Sequence, residues 1–246
     1  MAHLDPVEAY DRIALEFARL SNGRRAYIDA IDRLVISEIP SEARSLLDIG
    51  AADGSRARRI AAACALPEIT LLEPSAAMRA LWPPETSGWP IRAEDLGGQS
   101  GRFDVIACLW NVLGHVFPGA KRIQVLKDCA RLLSECGLLF IDVSHRYNIP
   151  HYGLAPTFLR MLRDRIFPAE NSGDVTAHWN LNGSDLAARG HVFTDAEFRR
   201  MASAAGLAIR KAVAVDYKTG EIRRSKFSGH LLYVLAKTPG KVTALA

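Results

Sequence analysis

Four short runs of this chain, 46–49, 69–72, 103–109 and 138–143, are apolar without the alternation of a strand that keeps one wet face. Segments of helical spacing separate them, among them 56–64 and 121–134. Strands that are apolar on both sides and alternate with helices specify a parallel sheet covered on both faces. Ahead of these runs, 6–38 carries apolar residues at helical intervals (Tyr10, Ile13, Ala14, Phe17, Leu20, then Tyr27, Ile31, Leu34, Val35), broken by Ser21-Asn22-Gly23. That pattern predicts two helices before the core. Near the far end, Thr194-Asp195-Ala196-Glu197 is a capping box opening a helix that stops at Gly206. Two strand-like runs follow, 207–217 and 230–236, joined by a connection too short for a helical crossover, so they are expected to be antiparallel. Segment 144–193 has no clean period and concentrates His, Arg, Tyr and Trp, which predicts an inserted lid.

With 246 residues, 49% of them hydrophobic and 24% charged, the chain can bury a core and does not have the composition of a disordered protein. One domain is expected. No apolar run reaches the length of a membrane span, and the first residues are acidic where a targeting peptide is basic, so a cytoplasmic location is expected. The four cysteines (Cys64, Cys108, Cys129, Cys136) show no C-x-x-C spacing and are expected to be buried free thiols, with no metal implied. A net charge of +4 does not by itself name a partner.

The first apolar run ends in "SLLDIGAADGS", a turn built from Gly50, Ala51, Ala52 and Gly54. At the carboxyl end of a parallel strand, a turn without bulk lets a ligand approach the backbone closely. Glu73 stands at the tip of the next strand, about twenty residues on, placed to accept two hydrogen bonds from a ribose diol. A dinucleotide turn wants glycine at its first, third and sixth positions, which here hold Gly50, Ala52 and Ser55. Asp48, just ahead of the turn, would repel a pyrophosphate but favours the cationic amine of a methionine moiety. The residues therefore favour S-adenosylmethionine over a nicotinamide cofactor.

These stretches resemble the class I S-adenosylmethionine-dependent methyltransferases, most closely the small-molecule branch. "LLDIGAADG" is similar to the family's first motif, with Ala52 where glycine is usual, and "LLEPSAAM" to the second. "IRAEDL", "GRFDVIACLWNVLGHV" and "ARLLSECGLLFIDV" resemble the segments that follow, in order, with Glu135-Cys136-Gly137 in place of the usual Pro-Gly-Gly. The resemblance implies a doubly wound, mostly parallel seven-stranded sheet of Rossmann-like α/β type with an antiparallel last strand. It divides the chain into an N-terminal helical cap (1–40), a cofactor-binding core (41–143), a substrate lid (144–193) and the end of the core (194–238). The cofactor residues it implies are Asp48, Gly50, Ala52, Gly54, Glu73, Pro74, Met78, Ala93, Glu94, Leu109 and Asn111, with Met78 packing on adenine and Asp95 a weaker match beside Glu94. Tyr10 joins them if the N-terminal helices close over the cofactor; otherwise it is a core residue of an amphipathic helix.

Methyl transfer from a sulfonium is an in-line displacement, so positioning dominates and a base is needed only for a protonated acceptor. His115, in the loop after the fourth strand, is the candidate base; the plainer alternative is a histidine satisfied by local backbone. In the lid, Arg146, Tyr147, His151, Tyr152 and Trp179, with His145 and His178 near them, suit a small-molecule acceptor that is aromatic or anionic. No membrane partner is implied. An RNA or protein acceptor is the second reading, suggested by Arg223-Arg224-Ser225-Lys226, but "CLWNVLGHV" lacks the Asn/Asp-Pro-Pro-Tyr/Phe pattern of base and glutamine methylation.

Overall fold

The apolar runs become neighbouring strands. The computed structural model describes residues 4–181 and 184–239. Its first half runs α1 (Pro6–Ile13), α2 (Phe17–Asn22), α3 (Arg25–Glu38), β1 (Ser45–Ile49), α4 (Ser55–Ala63), β2 (Glu68–Leu72), α5 (Ala76–Arg79), β3 (Gly88–Trp89), β4 (Phe103–Cys108) and α6 (Ala120–Leu132). Its second half runs β5 (Leu133–Val143), α7 (Ile149–Tyr152), α8 (Leu154–Ile166), β6 (Asp174–Leu181), β7 (Ser184–His191), α9 (Asp195–Ala204), β8 (Leu207–Val215), β9 (Ile222–Arg223) and β10 (His230–Lys237).

The larger sheet has eight strands in the order β3-β2-β1-β4-β5-β10-β8-β9. Strands β1 to β5 pair in parallel, and β10 lies antiparallel to both β5 and β8. This is a Rossmann-like α/β sheet with an antiparallel last strand, and it has one strand more than the seven expected: the short β9 pairs with the edge of β8. The order reverses between β1 and β4, which opens a crevice at their carboxyl ends.

Every residue of β1 is buried, which is why its sequence does not alternate. One face of the sheet packs Leu126, Cys129, Phe198 and Tyr233 with α6 and α9, and the other packs Tyr27, Ile31, Ile60 and Phe140 with α3 and α4. The capping box forms as its spacing predicts, Glu197 N donating to Thr194 Oγ1 at 3.1 Å and Thr194 N to Glu197 Oε2 at 3.3 Å. The N-terminal helices break where expected, before Arg25, but the first is itself divided by a 3-10 turn at Ala14–Glu16. Glu135-Cys136-Gly137, expected as a turn, is instead extended chain within β5, absorbed by a register shift against β4 between Phe103 and Val105. Cys136 is exposed there and Cys64 is half-buried; only Cys108 and Cys129 are the buried thiols expected of all four.

The 144–193 segment forms α7, α8 and the antiparallel hairpin β6–β7. His191, fully buried at the end of β7, ties the hairpin down: its Nδ1 and Nε2 lie 2.8 Å from Asp174 Oδ1 and 2.8 Å from Glu197 Oε1. The outer face of α8 exposes Leu154, Phe158, Leu159 and Ile166.

Asp142, 1% exposed on β5, joins the layers. Its Oδ2 accepts from Tyr27 Oη of α3 at 2.6 Å, and its Oδ1 from the Trp110 amide after β4. Burial pushes its carboxyl up, opposed by Arg56 and by these donors. Removing the Tyr27 hydroxyl leaves a buried acceptor short of a donor, and such groups cost about 1–3 kcal/mol. Tyr27→Phe is therefore expected to lower the stability read by urea unfolding by about that amount; an unchanged midpoint would show that Asp142 does not need this bond.

Candidate functional site

The turn after β1 is bare because its surroundings leave no room. Gly50 has φ +75°, and a Cβ there would come within 2.5 Å of a Val112 methyl. Gly54, φ +68°, caps α4, and a Cβ there would lie 2.6 Å from Leu71. Ala52 also has a left-handed φ, +48°. This costs an alanine about 1 kcal/mol, but its methyl packs with Ile13, Ala14, Met78 and Leu186 and offsets most of that, at about 0.8 kcal/mol per buried carbon. The departure from glycine is thus nearly neutral.

Glu73, 5% exposed at the tip of β2, braces the turn: Oε2 accepts from Ala52 N at 2.8 Å and Oε1 from Ser75 N at 2.9 Å. Burial pushes its carboxyl up against the pull of those amides. Asp48 is equally buried, and burial raises it to about 7, opposed chiefly by Arg56. A cavity of about 230 Å³ lies above, lined by Asp48, Gly50, Ala52, Glu73, Pro74, Ala93, Glu94 and Leu109, and roofed by Tyr10 of α1. Helix α1 is fastened over it by Arg92 Nη2 donating to Asp5 Oδ1 at 2.7 Å and by Ser75 Oγ donating to Asp11 Oδ1 at 2.6 Å.

The loop after β4 carries the opposite wall. Trp110 and Asn111 are both left-handed, φ +64° and +59°, a conformation that bulky residues hold only when their surroundings impose it. Here Asp142 takes both amides: its carboxylate accepts from Trp110 N and its carbonyl from Asn111 N at 3.2 Å. The Asn111 side chain accepts from Ser144 N at 2.9 Å and donates to His191 O at 3.1 Å. His115 closes the loop, its Nδ1 lying 3.2 Å from Arg189 O of β7. A carbonyl only accepts, so Nδ1 carries the proton and Nε2 is the basic nitrogen. Burial holds the imidazole below its usual value, against the pull of that carbonyl.

A second cavity, about 320 Å³, lies beyond this wall, and Tyr10, Phe17, Trp110 and His115 line both. His151, Tyr152 and Trp179 of the inserted segment line the second, as do Asn111 and His178. Of the residues expected to touch cofactor, three stand outside the first cavity's lining: Gly54, Asn111, which faces the second, and Met78, fully buried beneath α1. Arg146 and Tyr147 line neither cavity. Arg146 grips Asp164 of α8 with Nε–Oδ2 at 2.5 Å and Nη2–Oδ1 at 2.8 Å, and Tyr147 Oη donates to the same carboxylate at 2.9 Å. Their polar groups hold the segment together.

Sequence reasoning passed over Arg56, which lines the first cavity. Its Nε is bound to Asp32 at 2.6 Å while its Nη2 is buried without a partner. A signal existed: arginine in the first turn of a helix opposes the macrodipole. Tyr217, in the turn after β8, and His230, at the start of β10, line the second cavity and carried no local signal.

Residues 19–212 match the family described as Methyltransferase domain. No curated protein matches the chain. Among solved structures, the sugar N-methyltransferase KedS8 from Streptoalloteichus is similar, at 17% identity and TM-score 0.60 over 90% of this chain and 92% of that one. CalS10 from Micromonospora echinaspora, an amino pentose methyltransferase solved with S-adenosylmethionine bound, is 17% identical with TM-score 0.59 over 91% and 96%. A Haloferax volcanii methyltransferase in complex with the Trm112 activator reaches TM-score 0.65 at 14% identity over 94% and 96%. A family match across most of the chain, on a sheet of this order with a bare turn at its switch point, makes this protein a member of the methyltransferase domain family, a class I S-adenosylmethionine-dependent methyltransferase.

Proposed function

We propose that the enzyme methylates an oxygen or nitrogen of a small molecule held in the second cavity, with S-adenosylmethionine in the first. The observation that carries this is the shared wall: Tyr10, Phe17, Trp110 and His115 face both spaces at once. Bound S-adenosylmethionine supplies a sulfonium methyl, whose carbon–sulfur bond breaks as the bond to the acceptor forms, leaving S-adenosylhomocysteine and one proton to be removed.

The residues fit that cofactor by charge and by room. Gly50 leaves space that a Cβ would fill, and Arg56 Nη2 is a buried donor without a hydrogen-bond partner, suited to the methionine carboxylate. Asp48 suits the methionine amine, Glu73 the ribose diol, and Ala93 and Glu94 the adenine edge. On the acceptor side, the free Nε2 of His115 accepts the departing proton. His151, Tyr152 and Trp179 surround the acceptor, and the 144–193 segment serves as its lid. The solved sugar and amino pentose methyltransferases support a small-molecule acceptor. The run Arg223 to Lys226 lends little to a nucleic-acid reading, because Arg223 is paired with Asp216 at 3.1 Å and Lys226 with Asp195 at 2.9 Å.

Three measurements test this. Glu73→Gln keeps the size but removes the charge, and hydrogen bonds to a charged group are worth about 1.5–3 kcal/mol. Calorimetry with S-adenosylhomocysteine should therefore show binding weakened about tenfold to a hundredfold; wild-type affinity would remove Glu73 from the ribose site.

Asp48 favours the cofactor's ammonium only when ionised. Its carboxyl stands at about 7 in the free protein and falls when an ammonium binds, so binding releases a proton. Affinity for S-adenosylhomocysteine should accordingly rise about tenfold between about pH 6 and about pH 8. A flat profile would place the amine elsewhere.

His115→Ala should reduce the release of S-adenosylhomocysteine, assayed over a panel of hydroxyl and amine acceptors, by about a hundredfold or more. Because burial holds His115 low, the wild-type acid limb should fall below about pH 6.5 and vanish in the variant. Unchanged turnover would take the base role from His115.

A further inference from the structure

The two cavities differ in charge. The first is lined by carboxylates and arginines, Asp48, Glu73 and Arg56 among them. Among the described residues, the second is lined by no Asp, Glu, Lys or Arg. We propose that the acceptor it takes is an uncharged aromatic hydroxyl compound, a phenol by chemical class, in preference to an ammonium or a carboxylate. This rests on the reading of the second cavity as the acceptor site.

The walls are rings: Tyr10, Phe17 and Trp110 on the core side, His151, Tyr152 and Trp179 on the other. Tyr10 meets Trp179 edge-on with centroids 6.0 Å apart and His115 at 5.9 Å, so the three rings pack into one continuous aromatic wall against which a flat apolar body can lie. Burial favours the neutral form of His115, His151 and His230. His230 accepts from His145 N at 2.9 Å through its Nδ1, and burial, with His151 and His145 near it, pushes it down to about 3, opposed by Asp216. Burial also lowers His151, helped by Lys218, Arg24 and Arg160. An ion entering such a space loses its hydration and finds no opposite charge among the described residues that line it.

An aromatic box can also attract an ammonium. At two of these rings that attraction is already used. Arg24 lies 4.8 Å over the Tyr217 ring and Arg160 4.2 Å over the Tyr152 ring, so cations stand behind the wall and repel another cation inside it. A carboxylate is drawn by the same cations, but it must shed its hydration without a guanidinium to pair with directly, because among the described residues no arginine lines the cavity and Arg146 is committed to Asp164 by both nitrogens. A hydroxyl meets neither obstacle. It enters neutral, its proton passes to His115 Nε2, and the flanking cations favour the negative charge that appears on its oxygen as that proton leaves and that the arriving methyl neutralises.

The experiment is calorimetry on the full chain, alone and saturated with S-adenosylhomocysteine, using ligands that share one ring system: 2-naphthol, 6-hydroxy-2-naphthoic acid and 2-(aminomethyl)naphthalene, with glucosamine as the non-aromatic amine. The expected result is that 2-naphthol binds more than tenfold tighter than each of the other three, and that Trp179→Ala weakens it more than tenfold while S-adenosylhomocysteine binds as before. Equal or tighter binding of the acid or either amine overturns the proposal. So does absence of 2-naphthol binding, or its indifference to Trp179→Ala. If S-adenosylhomocysteine itself does not bind, the methyl-donor reading of the first cavity fails, while the charge series on the unloaded chain still decides the acceptor.

Discussion

The carboxylate of Asp142 is the contact on which the site's shape depends. It sits in the middle of the sheet, yet what it holds is a loop: the Trp110 amide on its side chain and the Asn111 amide on its backbone keep two consecutive residues left-handed. Such a conformation costs about 1–2 kcal/mol per non-glycine residue and persists only where its surroundings over-determine it. The turn sets the Trp110 ring between the two cavities and brings His115 to β7. Arg56 lies in the field of the same carboxylate and of Asp48 and Asp32, so the charges beneath the glycine turn and those beneath the loop form one network. The geometry of the donor cavity and that of the wall are therefore not independent.

Within this arrangement the strands were legible and much of the lining was not. Burial on both faces writes itself into every residue of β1, so the covered parallel sheet could be read directly, while the order of its strands could not. The glycine turn was legible for a related reason: Gly50 and Gly54 occupy places where a Cβ collides, and composition reports that constraint. Met78, by contrast, lies in a motif that suggests contact with adenine, yet α1 covers it, and nothing local to Met78 records what packs on it from a distant helix.

The 144–193 segment shows the same limit from the other side. Arg146 and Tyr147 have the chemistry of ligand-binding residues, and only Asp164, on a different element, turns them into a structural clasp. The hairpin β6–β7 escaped because its apolar alternation is weak, its open end being held by the hydrogen bond between Asp174 and His191 rather than by burial alone. Asn182-Gly183, between its two runs, was the available signal, a dipeptide strongly associated with two-residue hairpin connections. His230 and Tyr217 reach the second cavity only through the antiparallel insertion of β10 between β5 and β8, a feature of topology rather than of neighbouring residues.

Closure of the donor cavity follows from the same balance of forces. The Asp5–Arg92 pair that fastens the start of α1 is about half exposed, with side-chain accessibilities of 48% and 43%, and such pairs contribute about 0–1 kcal/mol. The bond from Ser75 to Asp11 is the firmer polar tie, since Ser75 is fully buried. The larger share falls to apolar contact: Ile13 and Ala14 are buried against Ala52, Met78 and Leu186, and full burial of an isoleucine is worth about 1.5–3 kcal/mol. Leu4 adds a backbone bond to Ala187 of β7 at 2.9 Å. Helix α1 is thus seated on the glycine turn, on α5 and on the hairpin together. Tyr10 projects from it between the two cavities, so the element that roofs the first also supplies part of the wall of the second.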